Sequence, residues 1–411
     1  MKFYYGFRWL LTVSNEPPME TLEADYGTLT PLQKRQRLQE LGLLFFRLGL
    51  FSFGGPAAHT AMMEEEVVRR RQWLSHGKFL DLIGVTNLIP GPNSTELAIH
   101  LGYERGKWAG LIIAGVSFIL PAMVVVWLLA IAYVHYQSVP AVGNMLYGIQ
   151  PMIIPLIGQA LWKLGQKALK TPLAIGAAVL VMVGTVWGKP EILLLLLAGL
   201  ALVLIQMGRG RFQSLPLIFL PLGQLNASPV LAVSGINAWS VFGIFLKIGC
   251  LLYGGGYVLF AFLQADLVDR LGWLTSQQLL DAIAIGQITP GPLFTTATFI
   301  GYLLAGNPGA IAATVGIFLP SFLLVALVNP WVNVLQKSLI FRAFLDGINA
   351  GAWGLMVVTT VGLARSALID PLTICLALLG AIALGRFSIS SHWLVVFGAL
   401  VGLVRQSIPI S

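Results

Sequence analysis

Charge is scarce in this sequence of 411 residues. Lys, Arg, Asp and Glu together make up 10% of the chain, whereas hydrophobic residues make up 57%. A soluble globular protein carries about 25% charged residues, and several apolar runs here exceed the roughly 20 residues that span a bilayer. The composition therefore excludes an ordinary soluble protein, and it predicts an all-α polytopic membrane protein.

The sequence also has few cysteines and histidines, and it has no phosphate-binding loop. Cys250 and Cys375 both lie in apolar runs, so the sequence predicts no disulfide framework. The five histidines lack the spacing of metal ligands, and the chain has no glycine-rich nucleotide-binding loop of the kind that a primary pump needs. We therefore expect neither a metal site nor a cofactor.

The net charge of +8 does not indicate a nucleic-acid surface. No basic stripe with interleaved aromatic residues occurs, and a surplus of Lys and Arg is typical of the cytoplasmic loops of multi-pass proteins. The lipid bilayer is thus the expected surrounding, with no nucleic acid as a partner. A homodimer stays open as an assembly.

What the sequence does contain is a long internal repeat. Arg47-Leu-Gly49 returns as Lys247-Ile-Gly249 at an offset of 200 residues, and Gly102-Tyr103 returns as Gly301-Tyr302 at an offset of 199. The repeat predicts a cytoplasmic N-terminal tail (1–37), a first repeat (38–207), a linker (208–238) and a second repeat (239–411). Whether the linker crosses the membrane is left open.

The distribution of cations predicts that the two halves have opposite orientations. The first half concentrates Lys and Arg at Arg69-Arg-Arg71 and between Lys163 and Lys170, where the second half keeps little beyond Arg270 and Arg365. The second half instead adds Lys337 and Arg342 in a loop whose first-half counterpart has none. A swapped cation bias is what an inverted repeat shows under the positive-inside rule.

Each half carries a Pro-Gly-Pro break inside an apolar segment. The first lies in Asn87-Leu-Ile-Pro-Gly-Pro-Asn-Ser-Thr-Glu96 and the second in Gln287-Ile-Thr-Pro-Gly-Pro-Leu-Phe-Thr-Thr296. Proline removes a backbone donor and ends the incoming helix, and the second proline suits the first turn of a new one. Because free backbone groups at membrane depth are tolerated only beside protein or a wet cavity, paired breaks predict broken or re-entrant helices that form a substrate site.

The helices leading into the breaks have their own start signals. Ser75 and Thr275 are predicted N-caps, and Gln278 completes a capping box in the second copy. Glu66 with Arg70 and Asp266 with Arg270 have the i,i+4 spacing of helical ion pairs. A helix of about 14 residues between cap and break is roughly 21 Å long, which is too short to cross the membrane alone.

Candidate substrate ligands surround the breaks in both copies. Helix N-terminal amides and hydroxyls together favour an anion, although a structural kink with capping hydroxyls has the same pattern. Paired glycines expose backbone amides or permit close packing, and amide side chains before each break donate to an anion or end a helix. The candidates are Pro90, Gly91, Pro92, Ser94, Thr95, Pro290, Gly291, Pro292, Thr295, Thr296, Gly54, Gly55, Gly254, Gly255, Asn87 and Gln287.

Ionisable residues within the apolar segments are further candidates. Arg47 and Lys247 occupy equivalent positions, where a cation costs about 2.5–3.5 kcal/mol to insert, so they are predicted to attract an anion; snorkelling to the interface is the alternative. Glu96, Asp81 and Asp281 are candidates for proton coupling. Glu96 has Thr296 as its repeat partner, so a role for it belongs to one half only.

These repeated motifs resemble those of the chromate ion transporter family. The resemblance covers about Leu38 to Arg405 and implies a bacterial inner-membrane carrier with two halves of opposite orientation. It further implies export of chromate by the proton-motive force, with sulfate as a structural analogue. The motifs that carry it are Phe53-Gly-Gly-Pro56, Glu64-Glu-Glu66, Trp73-Leu74 and Pro90-Gly-Pro92, and in the second copy Tyr253-Gly-Gly-Gly256, Asp266, Trp273-Leu274 and Pro290-Gly-Pro292.

Other functions remain as alternatives at this point. A carrier for sulfate or another oxyanion, including an uptake carrier, fits the same residues. A passive anion channel uses broken helices as well. A membrane enzyme would need a nucleophile or a metal cluster at membrane depth, and the sequence shows neither, so we predict that the protein is not an enzyme.

Overall fold

A computed structural model describes residues 26–208, 235–328, 338–387 and 389–406 as α-helices joined by short turns. No strand occurs in these ranges, which confirms the all-α class. The first half contains α1 (Pro31–Phe51), α2 (Gly55–Glu64), a π-helical turn (Glu65–Arg70), α3 (His76–Thr86), α4 (Asn93–Tyr136), α5 (Pro140–Ala168), α6 (Pro172–Val186) and α7 (Glu191–Gly208).

The second half repeats this order of elements. It contains α8 (Ala238–Leu251), α9 (Val258–Leu263), a π-helical turn (Gln264–Arg270), α10 (Ser276–Ile288), α11 (Thr296–Val328), α12 (Leu339–Ala367), α13 (Pro371–Phe387) and α14 (Ser391–Gln406). Residues 209–234 of the predicted linker (208–238), the first 25 residues and the segment 329–337, which includes Lys337, lie outside the described ranges, so the structure does not address the predictions made for them.

Five of the described helices are long and apolar enough to cross a membrane, and four shorter helices are also apolar. Large apolar side chains point outward on them, such as Leu180 on α6 and Leu378 on α13, which are 69% and 59% exposed. Outward apolar faces suit contact with lipid, because lipid tails solvate them as well as a protein core does. The structure therefore confirms a polytopic membrane protein.

Helix α1 begins within the stretch assigned to the polar tail. Thr30 and Gln33 form a capping box in which the Thr30 hydroxyl accepts from the Gln33 amide at 3.4 Å, and Pro31 occupies the first turn. The first turns of α1 are polar (Gln33 to Gln39), so the hydrophobic pattern alone places the start of the helix too late.

The predicted start signals of α3 and α10 are confirmed. The Ser75 hydroxyl accepts from the Lys78 amide at 3.3 Å, and Thr275 and Gln278 form a capping box. The ion pairs Glu66–Arg70 and Asp266–Arg270 are also present, each at 2.8 Å. Both pairs lie in the π-helical turns, which widen the helix locally at equivalent places of the two halves.

Helices of one half pack against helices of the other. The glycine of α5 at Gly148 lies against the backbone of Gly398 in α14, and its repeat counterpart Gly347 in α12 lies against the backbone of Ala198 in α7. Small residues at these crossings allow close backbone approach. Helix α5 of the first half therefore packs against α14 of the second half, and α12 of the second half packs against α7 of the first half.

Helices α4 and α11, which are repeat counterparts, run antiparallel where they touch. Gly115, in the first half of α4, lies against Phe322 near the end of α11. At the opposite end the Trp127 indole N–H donates to the Asn307 side-chain oxygen at 3.0 Å. Residue numbers thus rise along one helix as they fall along the other.

Candidate functional site

The first Pro-Gly-Pro break forms the tip of a helical hairpin. The Lys78 ammonium at the start of α3 pairs with the Glu104 carboxylate, which lies at the end of the first arm of α4. Near the tip, the Asn93 side-chain amide donates to the Asn87 side-chain oxygen at 2.8 Å. Both ends of the hairpin therefore lie on the same side, as in a re-entrant helix pair. We call α3, the tip and residues 93–105 hairpin 1.

After each returning arm the chain reverses into a long helix. The backbone leaves helical geometry at Gly106 and Lys107 in α4, and at the equivalent Ala305 and Gly306 in α11. Close glycine contacts, Gly102 with Gly110 and Gly301 with Gly309, hold the returning arm against the long helix in each copy. We call α10, the tip at Pro290-Gly-Pro292 and residues 296–304 hairpin 2.

The two tips bind to the opposite halves by a reciprocal pair of hydrogen bonds. The Gly91 N–H donates to the Leu252 carbonyl at 2.8 Å, and the Gly291 N–H donates to the Ser52 carbonyl at 2.9 Å. These pairs map onto each other at the repeat offset of 200 residues. Reciprocal contacts between equivalent groups are what a two-fold relation between the halves produces.

Glycine is required at both tips. Gly91 and Gly291 have φ values of 142° and 89°, in a region that other residues avoid. A Cβ on Gly291 would lie 2.6 Å from the Ala122 Cβ and 2.9 Å from the Gly49 carbonyl oxygen. The tips are thus shaped to bring backbone against backbone.

The paired glycines form second breaks between α1 and α2 and between α8 and α9. Gly54, Gly55, Gly254 and Gly255 all have φ values between 77° and 113°. The Tyr257 hydroxyl lies 3.7 Å from the Cβ position of Gly55, so a side chain of the second half reaches the break of the first half. Both kinds of break therefore lie at the contact between the halves.

The hydroxyl groups after the tips are buried, and in the second half they donate to carbonyls of the tip. The Thr295 hydroxyl donates to the Pro292 carbonyl and the Thr296 hydroxyl to the Leu293 carbonyl, both at 2.8 Å. Ser94 and Thr95 are 3% and 0% exposed, and the Thr95 hydroxyl has no partner among the described residues. The second-half hydroxyls are thus engaged by tip carbonyls, whereas the described part of the first tip keeps an unpaired hydroxyl.

The amide side chains before the tips have different partners. The Asn87 side-chain N–H donates to the Ile83 carbonyl at 2.9 Å at the end of α3. Gln287 is 9% exposed, and its side chain interacts with the Tyr257 hydroxyl at the start of α9. Asn87 therefore acts as a helix-terminating group, whereas Gln287 contacts a tyrosine next to the glycine break of the second half.

The two equivalent cations have different surroundings. The Lys247 ammonium contacts both oxygens of Asp266, at 2.8 and 2.9 Å, and Arg270 pairs with the same carboxylate. Arg47 is partly exposed and forms no ion pair with any described residue. Glu66, the repeat counterpart of Asp266, pairs instead with Arg70 and neighbouring arginines. Lys247 is thus neutralised locally, and Arg47 is not.

The three candidate acids differ in exposure and in hydrogen-bond partners. Asp281 is 4% exposed and accepts from the Tyr133 hydroxyl and the Gln150 side chain, each at 2.9 Å. Glu96 is fully buried and accepts only from the Ser321 hydroxyl, at 3.4 Å, whereas Asp81 is exposed. Both Asp281 and Glu96 therefore contact the half to which they do not belong.

Sequence reasoning missed several residues at the contact between the halves. The His59 ring nitrogen Nε2 lies 3.1 Å from the Ser52 carbonyl, which also accepts from hairpin 2. Ser321 and Tyr133 bind Glu96 and Asp281. The repeat pattern aligns each residue with its counterpart, but it does not show which residue of the other half faces it, so the sequence had no signal for these pairs.

Comparison with known proteins agrees with the two-part architecture. The family model described as chromate transporter matches residues 39–204 and 239–403. The chromate transport protein of Cupriavidus metallidurans is 34% identical over 95% of this chain and 98% of its own length. The probable chromate transport protein of Synechococcus elongatus is 31% identical over 93% and 99%. An uncharacterized transporter of Methanocaldococcus jannaschii is 25% identical over 81% and 86%. No solved structure matches the chain.

Proposed function

The chain belongs to the chromate transporter family, and on that premise we propose that it is a secondary active transporter that exports chromate with the proton-motive force as its energy source. Relatives named as chromate transport proteins match both halves over nearly their full length. The apolar helices fit a multi-pass protein of the bacterial inner membrane. The observation that carries the proposal is that each re-entrant tip binds the opposite half beside its glycine break.

We propose further that the halves form an inverted repeat. The antiparallel packing of the equivalent helices α4 and α11 supports this orientation, because a two-fold axis that reverses spanning helices lies in the membrane plane. The Trp127–Asn307 contact and the reciprocal tip hydrogen bonds fit the same axis. Such an axis places the two tips at equivalent depths from opposite sides.

Accessibility labelling tests the inversion. Ala109 and Pro308 are repeat counterparts, both exposed, just after the reversals of the chain. Cysteines introduced at these two positions, with Cys250 and Cys375 replaced by serine, should react with an impermeant maleimide from opposite faces. Arg105 is unsuitable for labelling because it is 8% exposed and stacks on the Trp73 ring. Reaction of both cysteines from the same face would contradict the inversion.

The substrate site that we propose lies at the two tips and the adjacent breaks. Chromate is a tetrahedral dianion, which suits convergent N–H donors and a nearby cation. In the described conformation the Gly91 and Gly291 N–H groups are bound to carbonyls of the opposite half, so the first helical amides at Asn93 and Ser94 are the donors left at tip 1. Arg47 supplies a cation that no carboxylate of the described residues neutralises.

Substrate binding at the tip glycines would require the cross-half hydrogen bonds to break. One helix end contributes only about 0.3–2 kcal/mol to binding an anion, so several donors must converge. If the N–H groups of Gly91 and Gly291 release their carbonyl partners and bind the oxyanion instead, they provide two of those donors. Substrate binding and separation of the halves are then linked, as alternating access requires.

Sulfate or another oxyanion is the alternative substrate, in either direction, and a passive anion channel is the alternative mechanism. The decisive measurement is flux of labelled chromate and sulfate in proteoliposomes of known orientation, with an imposed pH gradient and potential. We expect chromate to accumulate against its gradient, and sulfate to compete. Flux that only follows the substrate gradient would indicate a channel, and preferential sulfate accumulation would indicate a sulfate carrier.

A further inference from the structure

The two tips face different side chains. A Cβ placed on Gly91 would collide with the Glu96 carboxylate and the Ser321 hydroxyl, whereas a Cβ on Gly291 would collide with the Ala122 methyl group and the Gly49 carbonyl. Ser321 and Ala122 are repeat counterparts at the offset of 199 residues, and each is contributed by the opposite half. Tip 1 therefore faces two polar side chains, and tip 2 has the methyl group of Ala122 in the place of the Ser321 hydroxyl.

Glu96 lies in surroundings that provide little for a negative charge. Its side chain is fully buried, Oε1 accepts from the Ser321 hydroxyl at 3.4 Å, and Oε2 has no partner among the described residues. No described Lys or Arg pairs with it. An ionised carboxylate buried without a cation or a full set of donors is costly, so a group in this position gains or loses a proton as its surroundings change.

In the other two buried acids of the described residues, Asp281 and Asp266, both carboxylate oxygens have partners. Both oxygens of Asp281 accept from donors on α4 and α5, and both oxygens of Asp266 contact Lys247. Neither needs a proton to be satisfied. Glu96 is thus the buried carboxylate of the hairpins that is left incompletely satisfied in the described part of the chain.

The ionisable groups around Glu96 do not supply a permanent counter-charge. Tyr253, which follows α8, interacts with it electrostatically, and His100 lies one turn along the same helix. Other ionisable groups stand on the elements packed against α4. They include Arg47 on α1, His59 on α2, which contacts the Ser52 carbonyl, Lys78 on α3, which pairs with Glu104, Asp81 on α3, and Asp281 on α10, which binds Tyr133 and Gln150.

We propose that Glu96 carries the coupled proton and that Ser321, from the opposite half, is its positioning residue. The proposal rests on the proposed function and names the group that uses the proton gradient. Glu96 accepts a proton as a carboxylate on the side of high proton concentration and releases it as a carboxylic acid on the other side. Because Ser321 belongs to α11, each change of protonation alters a contact between the halves directly behind Gly91, whose N–H binds Leu252.

Transport in proteoliposomes separates coupling from substrate binding. Chromate counterflow exchanges substrate for substrate and needs no net proton movement, whereas uphill accumulation under an imposed pH gradient does. We expect Glu96→Gln to retain counterflow, to lose uphill accumulation, and to show a flat pH profile. Glu96→Asp keeps a titratable carboxyl and should retain part of the uphill accumulation.

Ser321→Ala tests the positioning role. The hydroxyl donates to the carboxylate, so its removal should move the pH midpoint of uphill transport upward by about half to one unit, with counterflow unchanged. Ser321→Thr restores the hydroxyl and should restore the midpoint. Ala122→Ser is the matched control, since it adds a hydroxyl at the equivalent place behind tip 2, and it should leave the midpoint where it is.

The outcomes separate this proposal from the proposed function. Normal uphill accumulation with an unchanged pH profile in Glu96→Gln would overturn the proton role alone. Equal shifts in Ser321→Ala and Ala122→Ser would overturn the positioning role. Absence of chromate counterflow in the unmodified protein would overturn the proposed function and this proposal with it. Should Glu96→Gln not fold, as judged by its melting temperature, the midpoint of Ser321→Ala decides.

Discussion

The two halves share one backbone plan and differ in the polar groups that they place on it. Both form a re-entrant hairpin, a π-helical turn and a glycine break at equivalent positions. Yet Arg47 has no ion partner among the described residues where Lys247 binds Asp266, and Glu96 lies where the second half has Thr296. The backbone requirement is symmetric because both tips must fit the opposite half. The polar side chains are not bound by that requirement, so they differ between the halves.

The comparison also teaches which features of a repeat indicate function. Glycines and prolines recur because the geometry of the breaks allows little else at those positions. Arg47 and Lys247 recur with different surroundings, and we propose that Lys247 is structural whereas Arg47 is available for substrate. The following changes test that division, from the largest expected effect to the smallest.

Gly291→Ala should produce the largest effect, because it removes the shape on which the cross-half contact depends. Positive φ costs about 1–2 kcal/mol for a residue with a Cβ, and overpacking adds about 1–3 kcal/mol. We expect a large fall in melting temperature in detergent and loss of chromate flux. Gly176→Ala on the exposed face of α6, where nothing lies within 4 Å, is the control and should be neutral or slightly stabilising. Equal melting temperatures for the two variants would contradict the tip contact.

Asp266→Asn should destabilise the second half more than Glu66→Gln destabilises the first. Asp266 is buried with two cations, and charge-assisted hydrogen bonds of this kind contribute about 1.5–3 kcal/mol. The Glu66 pair is partly exposed and is expected to contribute about 0–1 kcal/mol. Thermal unfolding of both variants measures the difference. A larger loss in Glu66→Gln would reverse the comparison.

Arg47→Met and Lys247→Met should separate substrate binding from folding. Arg47 has no ion partner in the described structure, so its loss should weaken chromate binding by about tenfold or more, with little change in melting temperature. Lys247→Met should lower the melting temperature and change affinity less, because Lys247 is engaged by Asp266. Ligand-induced stabilisation and flux at matched expression give both quantities. Normal transport by Arg47→Met would make Arg47 a membrane anchor.

Lys107→Gly should produce the smallest effect, a gain in stability. Lys107 has φ 50° and ψ −138°, a conformation that its counterpart Gly306 adopts without a side chain. Relief of this strain is worth about 1 kcal/mol, reduced by the lost contact of the Lys107 ammonium with the Tyr103 ring. Gly306→Lys is the reverse change and should lower the melting temperature. A drop in both variants would show that the two turns are not equivalent.

The sequence by itself determined the features that depend on local pattern. Hydropathy fixed the class, the repeat offset fixed the equivalence of the halves, and the residues at Ser75 and Thr275 fixed where α3 and α10 begin. The Pro-Gly-Pro segments were recognisable as helix breaks, because proline and glycine act through the backbone of their own residue and need no distant partner.

Only the tertiary structure decided what those breaks face. The Gly91 amide meets the Leu252 carbonyl, Glu96 meets Ser321, and Lys247 meets Asp266, and none of these partners follows from spacing along the chain. The reason is physical: hydrogen bonds and ion pairs reach about 3–4 Å, so they depend on which helices the fold brings together. The sequence establishes that the halves are alike, and the contacts between them establish how they differ.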